Sequence, residues 1–233
     1  MLKLAFVCFC LSALLWMPAH AANPHIETGA DAEVSFDGLH RIKRSRVDAA
    51  WVRQDLDLSG YEKLLVQDAG ITYRPVEWTG SERAAAQRGE TEFPITEENR
   101  TKLAELFRAE ILEEVAKNNR YTLSTTPGPD VLLLIGGLID VVSHVPPEKP
   151  GRSNTYLRSI GEATLVLELR DSLTGAILAR AIDRRSATTF AHKSSSGLNR
   201  QDVKRLASSW GKLLNDRLND VVSISSEGKL TSN

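Results

Sequence analysis

Cysteine is almost missing from this chain. Its 233 residues hold two, Cys8 and Cys10, both within the first ten positions. A chain that has shed its N-terminus therefore has no disulfide and no thiolate metal site. An excess of one charge is missing too, since 29 Lys+Arg stand against 30 Asp+Glu. Nucleic-acid binders usually show a basic surplus, so that class is disfavoured. After the N-terminal leader, no apolar run reaches the ~20 residues that a membrane-spanning helix needs. Signatures of catalysis are also lacking. There is no Gly-x-Ser-x-Gly, no Gly-x-Gly-x-x-Gly, no Gly-Lys-Ser/Thr and no His-x-x-x-His. These absences remove the sequence marks of serine hydrolases, nucleotide loops and helical zinc sites.

What is present begins with that leader. Met1-Leu2-Lys3 is a short positive region, and Leu4 to Trp16 is an apolar core. Ala19-His20-Ala21 supplies a small-x-small box. This is the pattern of a secretory signal peptide over residues 1–21, cut between Ala21 and Ala22. A lipoprotein needs a cysteine just after the apolar core, and Cys8 and Cys10 come too early. The expectation is a periplasmic or secreted protein without a lipid anchor and without a transmembrane segment in the mature chain.

The mature chain reads as a flexible lead-in over 22–36, one domain over 37–222 and a disordered tail over 223–233. Leu39 to Arg46 holds a basic cluster, His40, Arg41, Lys43, Arg44 and Arg46. Such a cluster suits an anionic surface, lipid headgroups included, or plain solvation. Leu64 to Val66 is a short apolar strand that Ile71 to Val76 extends or pairs. Thr96 caps a helix that opens on Glu97 and Glu98 and runs to about Asn119. Its stripe is Leu103, Leu106, Phe107, Ile111 and Val115. Val131 to Val142 is the most apolar stretch, a central strand with a close backbone approach at Gly136-Gly137. Gly161 to Arg185 is an antiparallel hairpin. In it Leu165, Leu167 and Leu169 alternate with Thr164, Glu168 and Arg170, and Asp171, Ser172, Thr174 and Gly175 form the turn. A last helix from Asn199 to about Val222 carries Leu206, Trp210, Leu213, Leu214 and Leu218 on one stripe. The fold class that follows is α+β: a mostly antiparallel sheet of four or five strands with two amphipathic helices packed on one face.

Two stretches carry a family likeness. They are Asp55-Leu56-Asp57-Leu58-Ser59-Gly60-Tyr61-Glu62-Lys63-Leu64-Leu65-Val66, and the hairpin from Gly161-Glu162-Ala163 through Asp171-Ser172-Leu173-Thr174-Gly175 to Asp183-Arg184-Arg185. They resemble domain of unknown function 3313, a Gram-negative family of exported proteins, many of them lipoproteins. The resemblance spans about Phe36 to Val222. It implies an envelope location and no catalytic residues, and this chain departs from the lipoprotein members in having no usable lipobox cysteine.

The remaining candidates are ordinary. His25, His40, His144 and His192 are not spaced as ligands, so no metal or other cofactor is expected. Ser209-Trp210-Gly211-Lys212 matches Ser-x-x-Lys, yet the Ser-Asp-Asn and Lys-Thr-Gly partners of that motif are absent. Glu97-Glu98 and Glu113-Glu114 are adjacent pairs whose members point about 100° apart on a helix, as solvated faces do. Trp78, Arg152 and Tyr156 lie in two long irregular segments, 77–93 and 144–159, and are of the types enriched at binding hot spots. They are the expected partner-binding residues, for an envelope protein or ligand. The function expected is a non-enzymatic binding or envelope-accessory module of the periplasm. The alternative is a secreted hydrolase with a scattered active site. A pocket joining an acid, a His and a Ser would favour the hydrolase, and an apolar groove without them the binding module.

The leader has a direct check. Intact-mass spectrometry of the natively exported protein should give a chain that starts at Ala22 and carries no diacylglycerol. A mass that retains residues 1–21, or an acyl adduct, would refute the signal-peptide assignment.

Overall fold

The computed structural model describes residues 24–77, 92–146, 157–188 and 196–230, with the backbone alone at 188, 196–198 and 220–230. The elements in chain order are β1 (His25–Ile26), β2 (His40–Lys43), β3 (Ala49–Val52), β4 (Lys63–Tyr73), α1 (Glu97–Val115), β5 (Thr122–Ser124), β6 (Val131–Ser143), β7 (Ser159–Asp171), β8 (Ile177–Thr188) and α2 (Ser196–Leu230). β1 lies inside the expected lead-in, and α2 is described past the expected boundary at Val222.

The strands make one sheet in the order β1-β2-β3-β8-β7-β6-β4-β5. This corrects the expectation of four or five mostly antiparallel strands. The sheet has eight strands and is mixed, because β4 pairs parallel with both β5 and β6. The reason is the α1 crossover. A helix between strands returns the chain to the end where it started, so the strands on either side of it run parallel. On the other side a β1-β2-β3 meander adds to the hairpin through β3, with Ala50 opposite Ala181 and Val52 opposite Ala179.

The hairpin forms as its residues dictate. Leu165 and Leu169 are buried toward the helices. At the turn, Asp171 Oδ1 accepts from the backbone N–H of Leu173 at 3.1 Å and of Thr174 at 2.7 Å. Gly175 takes φ +71°, a value that an L side chain resists. Asp171 Oδ2 also accepts from the Tyr61 hydroxyl at 2.8 Å, which ties the first family stretch to the second. Burial and that carboxylate push the Tyr61 hydroxyl up to about 12. In β6, a Cβ on Gly137 would come within 2.9 Å of the Gly70 carbonyl of β4, so the expected close approach is real.

α1 begins as expected, with Thr96 Oγ1 accepting from the Asn99 N–H at 3.3 Å. The reading of Glu113-Glu114 as a solvated pair needs revision. Glu113 is exposed, but Glu114 is buried, and so is Glu110, because α2 packs alongside them. Ser208 of α2 donates to Glu114 Oε1 at 2.8 Å, and Lys204 of α2 reaches Glu110 at 2.9 Å. The Ser208 hydrogen bond, helped by Lys117, holds the Glu114 carboxyl below the usual range despite its burial. The helices touch closely at Gly211, where a Cβ would fall 2.5 Å from Glu114 Cβ.

Trp210 fixes α2 to the sheet. It is 1% exposed and meets the ring of Phe107 edge-on at 5.9 Å. Its indole N–H donates to Asp183 Oδ2 at 2.8 Å. Trp210→Ala should therefore cost roughly 3–5 kcal/mol by chemical denaturation, the range of a large core aromatic. A loss under about 1 kcal/mol would be a surface value and would contradict this docking. Gly211→Ala sets two effects against each other. Ala gains about 1 kcal/mol of helix propensity. Forced overlap with Glu114 costs roughly 1–3 kcal/mol. Because the clash is with a Cβ rather than the tip of a flexible chain, the variant should be less stable than the wild type, and a raised melting point would disprove the close contact.

Candidate functional site

The two faces of the sheet differ in chemistry. The face away from the helices carries two chains of opposed charges. Arg74 reaches Asp140 with two hydrogen bonds, 2.8 and 2.5 Å, and also meets Glu92. Arg184 continues the chain to Glu162 at 2.5 Å. In the second chain Arg180 bridges Asp37 at 2.6 Å and Glu168 at 2.9 Å, and Arg170 meets Glu168 from the other side. The hydrogen bond from Arg74 holds Asp140 below the usual carboxylate range, and that from Arg184 does the same for Glu162. For Glu168, burial works upward, but the bonds from Arg170 and Arg180 outweigh it and lower the group. Acids and arginines satisfy one another in these two chains.

The helix face is different. Between β3, β8 and α2 lies a cavity of about 90 Å³. Its helical wall is Trp210, Leu213, Leu214, Arg217 and Leu218, at spacings of three and four. Its sheet wall includes Ala50, Leu167, Ala179 and Ala181, and Asp183 lines it beside Trp210. Asp183 is only 5% exposed, and Arg185 Nε adds a second bond to its Oδ2 at 2.6 Å. The loop after β2 adds Ser45 and Val47.

The cavity follows from dimensions. Eight strands at a spacing of about 4.8 Å make a sheet roughly 34 Å wide. Two helices packed 8–10 Å apart cover only about 20 Å of it. α1 and α2 pack from β4 to β8. Over β3 the cover is left to side chains from α2, such as Leu214 and Leu218, whose stripe joins the same cluster as Ile42, Ala50 and Val52. Leu167, Ala179, Ala181 and Leu213 stay only partly buried although they point between the layers.

The residues expected to act fare variously. Trp78, Arg152 and Tyr156 lie outside the described residues, as do Ala21, Ala22 and His192. The flanks of their two segments leave β4 and β6 at the same end of the sheet, because those strands are parallel neighbours, and Phe93 bridges to Ser143 there. In Ser-x-x-Lys, Ser209 donates to the Leu206 carbonyl at 2.8 Å and accepts from Arg185 at 3.1 Å, an arrangement that orients Arg185 rather than activating a hydroxyl. His40 Nδ1 contacts the Glu27 carbonyl at 3.0 Å. Among the described residues, no three or more His, Cys, Asp or Glu come together as a metal site, and no helix is long and apolar enough to cross a membrane. Arg217 is what the sequence reading passed over. It sits seven residues after Trp210, on the apolar stripe itself, and an arginine at that phase was the available signal.

Comparison with known proteins adds the following. No curated protein matches the sequence. Three solved structures are similar in shape. A PelC dodecamer from Paraburkholderia phytofirmans is 13% identical, with a TM-score of 0.35, over 71% of this chain and 96% of that one. A DUF330 protein from Xanthomonas campestris is 9% identical, with a TM-score of 0.43, over 81% and 96%. A homologue of a putative neuraminyllactose-binding hemagglutinin from Helicobacter pylori is 12% identical, with a TM-score of 0.37, over 73% and 90%. Likeness this distant transfers neither ligand nor partner. The model of the family described as "Protein of unknown function (DUF3313)" matches residues 32–214, where both quoted stretches lie, and the chain belongs to that family.

Proposed function

We propose that this protein is a non-enzymatic binding module of the bacterial cell envelope, exported by its leader, and that it holds an apolar ligand between its sheet and α2. One observation carries the reading. The cavity between the sheet and α2 is lined mainly by apolar side chains, Leu and Ala prominent among them, and the acid beside Trp210 is already engaged. Asp183, which lines it, is bonded by Trp210 and Arg185, and Ser209, on the turn of α2 next to Trp210, is bonded by Leu206 and Arg185. A nucleophile needs a base within hydrogen-bond reach, and the partner of Ser209 here is a guanidinium, which cannot accept a proton. Apolar pockets with few polar groups are the usual form of small-molecule binding sites.

Protein isolated gently from its own envelope should show, by native mass spectrometry, a retained apolar small molecule, and should turn over no nitrophenyl ester, phosphate or glycoside. Turnover that survives repurification and disappears in Ser209→Ala or Asp183→Asn would replace this reading with the hydrolase.

A further inference from the structure

We propose that the cavity holds a small neutral molecule with one O–H or N–H donor, of which a single-ring phenol is the simplest, and that the donor goes to Oδ1 of Asp183. This rests on the binding reading above and names the class of its ligand.

The first argument is the anchor. Asp183 lines the cavity and is 5% exposed. An ionised carboxylate offers roughly four acceptor positions, shared between its two oxygens. Trp210 Nε1 and Arg185 Nε both donate to Oδ2, at 2.8 and 2.6 Å. Among the described residues nothing donates to Oδ1, and the carboxylate has no partner beyond those two. A mainly apolar space thus contains one buried acceptor with capacity to spare. Small-molecule sites are commonly built this way, with apolar walls for affinity and a single polar group that fixes orientation.

The second argument is charge, which decides the kind of donor. The Arg185 guanidinium already stands against this carboxylate, so the pair as a whole is neutral. An ammonium ligand would have to sit beside that guanidinium, and an anionic ligand beside Asp183, each facing its own sign and each losing its water. A neutral hydroxyl or ring N–H meets neither penalty.

The third argument is shape. Asp183, Ala181 and Ala179 are alternate residues of β8, so they point to one face at intervals of about 7 Å. Ala50 of β3 stands opposite Ala181. These alanines make a low floor that begins one step from the anchor, and Trp210, Leu213 and Leu214 form the wall above it. A volume of about 90 Å³ leaves room for roughly six to nine water-sized groups. That is one ring with a substituent, laid over Ala181 with its donor at Asp183. Two-chain lipids and polycyclic molecules are too large.

The test is isothermal titration of the purified protein with p-cresol, toluene and benzylammonium, three single-ring probes of nearly equal size. p-Cresol should bind one-to-one and roughly threefold or more tighter than toluene, although toluene leaves water more readily, because only p-cresol can donate to Asp183. Benzylammonium should bind about tenfold or more weakly than p-cresol. Ala181→Leu, which fills the floor beside the anchor, should weaken p-cresol about tenfold or more while the melting point holds, and Ala50→Val serves if that variant does not fold. Toluene binding as tightly as p-cresol would overturn the donor anchor and leave an apolar binding site. Benzylammonium binding as tightly as p-cresol would overturn the neutral class. Binding of none of them, or p-cresol binding that the filled variants keep, would overturn the cavity as the site and the binding reading with it.

Discussion

Carboxylates are costly to bury, and Asp183 is buried because Trp210 reaches it from the opposite layer. An unsatisfied acid at this depth would shift the balance against folding by several kcal/mol. The indole N–H and the Arg185 guanidinium remove that penalty together. The bond links β8 to α2, so it fixes the rotation of α2 as well as its distance from the sheet. With Trp210 set, positions three, four, seven and eight further on must face the same way. That brings Leu213, Leu214, Arg217 and Leu218 over β8 and β3. The same rotation turns Ser208 and Gly211 toward Glu114, so the sheet contact and the helix contact belong to one orientation of α2.

Much of this was legible. The hairpin could be read because its alternation is local and its turn residues have specific chemistry. The α2 stripe could be read because periodicity over many residues averages out single exceptions. The same averaging hid Arg217, which is such an exception. The extra strands were not legible for a different reason. β1, β2 and β3 are two to four residues long, too short for a period to show, and half of β2 is charged. They become strands by pairing with a sheet that exists without them. The parallel pairing of β4 with β6 is a matter of connection and not of composition, so residues within either strand do not reveal it. Glu114 looked like half of a solvated pair because its exposure depends on a second helix almost a hundred residues later.

The cavity can be traced to a reversal of size on two strands. On β3 and β8 the residues that face the helices are Ala50, Ala179 and Ala181 together with Val52 and Asp183, while Trp51, Arg180 and Ile182 face the other way, as the pairing of Trp51 with Arg180 and Ala49 with Ile182 shows. Alternation makes this all or nothing, since a one-residue slip would exchange the two sets. Alanine is disfavoured in strands and brings little volume to a core. The arginine on the other face is held by Asp37 and Glu168, and the tryptophan by Glu33 and Arg41, which keeps the register from slipping. The charged face thus holds the small residues inward. What looks like a decorated outer surface is the constraint that keeps the space beneath α2 open, and this is why the arginine ladders and the apolar cavity are parts of one arrangement.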